Sequence, residues 1–205
     1  MGVQEPKGLI GIHTNMANVF PPEVDTAIWP GNPLPSGLSD EEKKACAQRG
    51  ENKFYYGFMM GTRPQTLTGL VDSPVGLAAF MLDHDWKSLA LISRSFAGVK
   101  EGLTRDDVLD NITLFWLTST AISAARLYWE NTVAGISFFD VKGVKLPVAV
   151  SVFPDEMYEA PKSWAEKAYP NLIHYNKLPK GGHFAAWEQP EFMTSELRTA
   201  FKSLR

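Results

Sequence analysis

Near the end of the chain the run VKLPVAVSVFPDE, residues 144–156, gathers valines and one alanine into a short apolar stretch and closes on a proline and two acids. Such a run, apolar in both alternating registers, suits an interior strand of a parallel sheet that is covered on both faces. Parallel strands need a crossover, and the residues that follow supply one. SWAEKAYP reads as a short helix, NLIHYNKLPKGGH as a further strand running into a loop, and QPEFMTSELRTAFKSLR as a closing amphipathic helix. Strand, helix, strand, helix predicts an α/β sheet with right-handed crossovers.

A third apolar segment, GLIGIHTNM over residues 8–16, reads as another buried strand. No helix is expected directly after it. Residues 18–40 are rich in proline and aromatics and are expected to be loop or extended chain laid over a surface. From there the pattern turns helical. SDEEKKACAQRGENKFYYGFMM predicts a helix capped by Ser39 or Asp40 with acids in its first turn. DSPVGLAAFMLDHDWKSLA predicts a second, started by Asp72 or Ser73 before Pro74, and residues 104–131 a long third. Three strands alone leave a parallel sheet with exposed edges, so the chain reads as part of a larger fold.

The 205 residues suit one domain, or one with a large insertion. A net charge of -3 with both signs dispersed offers no basic stripe for nucleic acid and no polybasic patch for anionic membranes. No apolar run reaches the roughly 18 residues of a membrane span, and the start lacks a secretory h-region. Pro6 stands where an N-myristoylation signal wants Ser or Thr. One cysteine, Cys46, excludes an internal disulfide and fits a cytoplasmic setting. The expected partner is a small molecule or another protein.

In doubly wound sheets the loops at the carboxyl ends of strands line the ligand crevice. Two such loops here carry ionisable groups, FPDE and PKGGHFAAWE. A carboxylate and a histidine on adjacent strand ends can meet as orienter and base, the acid fixing the imidazole tautomer. Either Asp155 or Glu156 could serve His183 on this argument. His13 and His174 read as packed or hydrogen-bonded imidazoles, since no pair of histidines has metal-site spacing.

The order acid, then histidine, is the back half of an α/β-hydrolase arrangement. DSPVGLAAF, VSVFPDE and GGHFAAWEQPE, together with TRPQTL and LYWEN, resemble the microsomal type of epoxide hydrolase, which includes juvenile hormone epoxide hydrolases. The similarity runs in order from GIHTNMA to the last helix.

That resemblance implies a partial α/β-hydrolase core, its last strands and closing helix, with a mostly helical lid inserted. Residues 1–19 would hold a core strand, 20–140 the lid and 141–205 the C-terminal part of the core. It implies His183 as the catalytic histidine and Glu156 as its charge-relay acid. Two lid tyrosines polarise the epoxide in these enzymes, and the matching positions are Tyr128 and Tyr56, with Tyr55 beside the latter. The implied reaction opens an epoxide to a vicinal diol through a hydroxyalkyl-enzyme ester, with a small apolar substrate and no metal or organic cofactor.

One part of the pattern has no counterpart. The family's nucleophilic aspartate lies on a strand-to-helix elbow in a motif close to G-G-D-W-G, ahead of the strand that GLIGIHTNM resembles, and an HGWPG-like oxyanion segment lies earlier still. The seven residues before Gly8 hold neither. The expectation is therefore a chain that begins after the nucleophile, completed by an N-terminal half or a second copy at its open sheet edge. The competing expectation is a non-catalytic binding module. Asp85 in HDW lies in a helical pattern, follows no strand and is flanked by no glycine, so it is a poor substitute nucleophile. Asp72 reads as a helix cap.

Overall fold

The computed structural model describes residues 2–28, 32–51, 55–135 and 143–204. In chain order they form β1 (Ile12–Thr14), α1 (Pro22–Ile28), α2 (Asp40–Glu51), α3 (Tyr55–Thr62), a 3-10 segment (Pro64–Val71), α4 (Pro74–Leu82), α5 (Trp86–Phe96), α6 (Arg105–Thr118) and α7 (Ala121–Val133). Then come β2 (Val148–Val152), α8 (Lys162–Ala168), β3 (Leu172–Lys177), α9 (Ala185–Glu188), α10 (Pro190–Ala200) and a last 3-10 turn (Lys202–Leu204). The chain divides into two compact units, residues 1–52 with 138–205, and residues 53–137.

Among the described residues the first unit holds a sheet in the order β1-β2-β3, all parallel. Every residue of β2 is buried, as its valine-rich sequence requires of a strand covered on both faces. Register sets His13 of β1 and His174 of β3 on either side of Ala149, so both imidazoles share a face with Ser151 and Asn176. A polar group on a buried face needs partners, and here they form a closed set. His13 Nε2–H donates to Ser151 Oγ at 2.9 Å, and the Ser151 hydroxyl donates to Glu196 of α10 at 2.7 Å. His174 Nε2–H and Asn176 donate to the same carboxylate at 2.8 and 2.9 Å. The two histidines are thus hydrogen-bonded framework groups that fasten α10 to the sheet.

Burial opposes the charge on Glu196, and the hydrogen bonds from His174, Ser151 and Asn176 outweigh it, leaving the carboxyl below its ordinary value of 4.5. A carboxyl depressed by folding stabilises the native state above its unfolded pKa, and that contribution is lost as pH falls through the folded one. Resistance of the sheet unit to urea should therefore weaken below about pH 4.5. Glu196→Gln should flatten part of that slope, and an unchanged slope would remove Glu196 from the account.

The proline-rich segment differs from expectation. Pro22 opens α1, because the first helical positions need no N–H, and Pro21 O accepts from Val24 N and Asp25 N at 2.9 and 3.0 Å. Residues 20–52 group with the sheet. Ser39 and Glu42 make a reciprocal capping box at the start of α2, and Glu42 also accepts from Ser163 at 2.7 Å. Phe20 packs on Tyr158 and Trp164 with ring centroids 4.5 and 5.1 Å apart, and Trp164 is buried.

The second unit is helical around Leu67, Leu70, Leu77, Leu103, Val108, Ile112, Ala121 and Ala125. The helix predicted across residues 73–90 is two. α4 ends at Leu82, and α5 starts anew with Asp85 as its N-cap, accepting from Lys87 N and Ser88 N. The pattern over 104–131 is also two helices, parted at Ser119, which takes a left-handed conformation with φ 52°. Ser73, rather than Asp72, caps α4, its hydroxyl accepting from Gly76 N at 3.0 Å. Ser73→Ala is expected to lower the stability of this unit by about 1 kcal/mol, read from its thermal unfolding.

Candidate active site

Three neighbouring strands deliver their carboxyl-end residues to one place. Beyond β2 the ladder continues irregularly: Leu178 N donates to Val152 O at 2.8 Å, Asp155 N donates to Gly181 O at 3.0 Å, and Asp155 and Gly182 form a parallel bridge. Gly181 has φ +108°, and a Cβ there would lie 2.8 Å from Phe153 Cδ1 and 2.9 Å from Gln189 Cγ. Only glycine suits that turn.

The turn brings His183 to Glu156, its Nδ1–H donating to Glu156 Oε1 at 2.7 Å. Glu156 is 1% exposed, and its Oε1 also accepts from Met157 N at 2.7 Å. His183 is partly open, with 22% of its side chain exposed, and its ring meets Phe184 edge-on at 4.9 Å. Asp155, the other acid of FPDE, is exposed. Backbone geometry thus separates two adjacent carboxylates, one bonded to the imidazole and one turned outward.

Two further residues belong to this arrangement. Asn15, just after β1, donates from Nδ2 to His183 O at 2.9 Å and to Glu156 Oε2 at 3.4 Å, tying both loops to a third strand end. Asn15→Ala is expected to cost about 1–2 kcal/mol through the unpaired His183 carbonyl, measured by urea unfolding. Glu188 of α9 accepts from Phe184 N at 2.9 Å. Burial raises its pKa, the backbone N–H groups of Phe184 and Gly182 oppose the rise, and Glu156 and Asp155 add to it. The only sequence signals for this pair were a polar residue just past a strand and an acid five places beyond a histidine.

Within the helical unit, Tyr56 of α3 and Tyr128 of α7 meet edge-on with ring centroids 5.9 Å apart. Burial pushes the Tyr128 phenol up, and a hydrogen bond with the Tyr56 side chain opposes that rise. Tyr55, the neighbouring alternative, is 72% exposed. Asp85 sits at a helix start, its carboxylate accepting from His84 and Ser88 as well as the two backbone N–H groups. Among the described residues, no group of three or more His, Cys, Asp or Glu side chains is placed to hold a metal ion. No helix among them is long and apolar enough to cross a membrane.

Known proteins resemble this chain in sequence and in fold. A Stigmatella aurantiaca protein provisionally named an epoxide hydrolase is 43% identical over 98% of this chain and 43% of its own length. Epoxide hydrolase 1 of Oryctolagus cuniculus is 30% identical over 94% of this chain and 45% of its length. The crystal structure of Bombyx mori juvenile hormone epoxide hydrolase superposes with TM-score 0.73 at 25% identity, over 98% of this chain and 50% of that one. Over nearly its whole length this chain is similar to one part of these epoxide hydrolases. The Aspergillus niger epoxide hydrolase superposes with TM-score 0.72 at 25% identity, over the whole chain and 48% of the enzyme. No protein-family model matches. The chain spans about half the length of the epoxide hydrolases it matches. Its parallel strands are part of an α/β-hydrolase core, and a mostly helical lid is inserted in sequence between β1 and β2.

Proposed function

We propose that this chain is the portion of an epoxide hydrolase that carries the water-activating histidine and the epoxide-polarising tyrosines, and that it acts on a small apolar epoxide. The lid of this reading, residues 20–140, takes in the compact helical unit and the stretch leading to it. A carboxylate nucleophile, supplied by the half of the enzyme that this chain does not match, opens the ring and leaves a hydroxyalkyl ester. The developing alkoxide is met by the phenols of Tyr56 and Tyr128, donors that gain strength as charge builds on the ring oxygen. His183, held in its tautomer by Glu156, then takes a proton from water as that water attacks the ester carbonyl, releasing the diol and restoring the carboxylate. The reading calls for no metal or organic cofactor.

The observation that carries this reading is the 2.7 Å bond between His183 and a carboxylate that is almost wholly buried, on loops that follow two adjacent parallel strands. The test is a hybrid in which this chain replaces the matching half of the silkworm enzyme. A folded hybrid is expected to convert styrene oxide to its diol and to lose that conversion on His183→Ala. A folded hybrid with no diol above background overturns the proposal.

A further inference from the structure

His84 and Asp85 have no role in the chemistry above, yet they are built into the tyrosine pair. Asp85 is held by four hydrogen bonds. Its Oδ1 accepts from Lys87 N and Ser88 N at 2.9 Å each, and its Oδ2 accepts from Ser88 Oγ and His84 Nδ1–H at 2.6 Å each. Burial works against the charge on this carboxyl, and the bonds from His84 and Ser88 more than compensate, keeping it well below the usual carboxylate range. It is therefore an anion at neutral pH, and an anion bonded to Nδ1–H fixes both the tautomer and the ring plane of the imidazole. Both side chains are largely shielded, with 13% of His84 and 9% of Asp85 exposed.

The fixed ring has a neighbour. His84 stacks on Tyr56 with centroids 4.9 Å apart and planes inclined by 28°, and the same phenol ring meets Tyr128 edge-on at 5.9 Å. A tyrosine can turn its hydroxyl away by changing χ1 or tilting its ring, and both are resisted by a flat surface that cannot itself move.

We infer that His84, locked by Asp85 at the start of α5, is a positioning residue that sets the plane of Tyr56 and, through it, the Tyr56–Tyr128 hydroxyl pair. The inference rests on the reading of these tyrosines as the epoxide donors. Two donors serve one ring oxygen only when both point at it, and a displacement of about 1 Å is enough to forfeit much of their effect. His84 touches no reacting atom in this scheme and acts only through the stack.

The experiment reads the two phenols directly, without substrate. The chain is prepared with tyrosine labelled with carbon-13 at Cζ, a shift sensitive to hydrogen bonding at the hydroxyl, and Tyr56→Phe and Tyr128→Phe assign the two signals. His84→Ala is expected to move the signals of both Tyr56 and Tyr128, with circular dichroism unchanged. His84→Phe, which restores a flat ring, is expected to bring both back towards the parent positions. Loss of the neighbouring ring current alone would move Tyr56 and leave Tyr128 in place, and that result overturns the inference. Should His84→Ala unfold the helical unit, His84→Leu fills the volume without a planar ring, and the same two outcomes apply. The styrene oxide assay of the hybrid is separate, so failure of the proposed activity and failure of the His84 role are told apart.

Discussion

His183→Gln is expected to lower diol formation in the styrene-oxide-active hybrid by about 10³-fold or more, while ring opening continues. The split follows from the geometry. Glu156 holds the proton on Nδ1, and in the proposed mechanism Nε2 is the nitrogen that would accept a proton from attacking water. Ring opening needs a carboxylate and hydroxyl donors but no base, whereas ester hydrolysis at neutral pH needs one. Glutamine fills similar space and cannot accept the proton usefully. The variant should consume about one equivalent of styrene oxide per site and then stall, with the ester visible as a mass increase on the intact protein. Continued diol release within about threefold of the parent would mean that His183 is not the base. Glu156→Gln should reduce the same step by a smaller factor, because an amide leaves the ring in place but does not favour the imidazolium that forms.

Much of this site was legible because polar residues at strand ends stand out against apolar strands. The run from Val148 to Val152 could hardly be anything but an interior strand, and the acids that close it had to lie in a loop. The glycines before His183 marked a turn, and the turn is real at Gly181. The choice between Asp155 and Glu156 was not available from chemistry, since both are carboxylates one residue apart. It depends on which way the backbone faces after Pro154, and only the family resemblance favoured Glu156. Asn15 has no distinctive signal in the sequence, because a single amide after a three-residue strand carries no pattern and its two acceptors lie 141 and 168 positions away in the chain.

The helical unit was harder to read for a related reason. Apolar spacing persists through residues 74–96, so periodicity alone runs α4 into α5, and the interruption at residues 83–85 is visible only once Asp85 is seen capping a new helix. A helix that restarts places His84 in the break, off either helix, where its ring can lie flat against Tyr56. The same holds for Pro22, which looked like a breaker and is a helix start.

Gly181→Ala is expected to destabilise the sheet unit by about 3 kcal/mol and to lower its melting temperature by about 6–12 °C. Two effects combine. A residue with a Cβ is strained at φ +108°, and the new methyl would meet Phe153 Cδ1 at 2.8 Å and Gln189 Cγ at 2.9 Å. Gln189 can swing aside at small expense, but Phe153 is fully buried at the end of β2 and has nowhere to go. Relief must come from the backbone, and the backbone in question carries the Gly181 carbonyl that accepts from Asp155 N. Lengthening that bond separates the loop holding Glu156 from the loop holding His183, so the same variant should also slow ester hydrolysis. Gly182→Ala is the control. Its φ lies outside the positive region and its nearest contact would be Asp155 O at 3.0 Å, so a loss of about 1 kcal/mol is expected. Urea unfolding of the two variants decides the matter: equal losses would show that the turn at Gly181 is not what holds acid and histidine together.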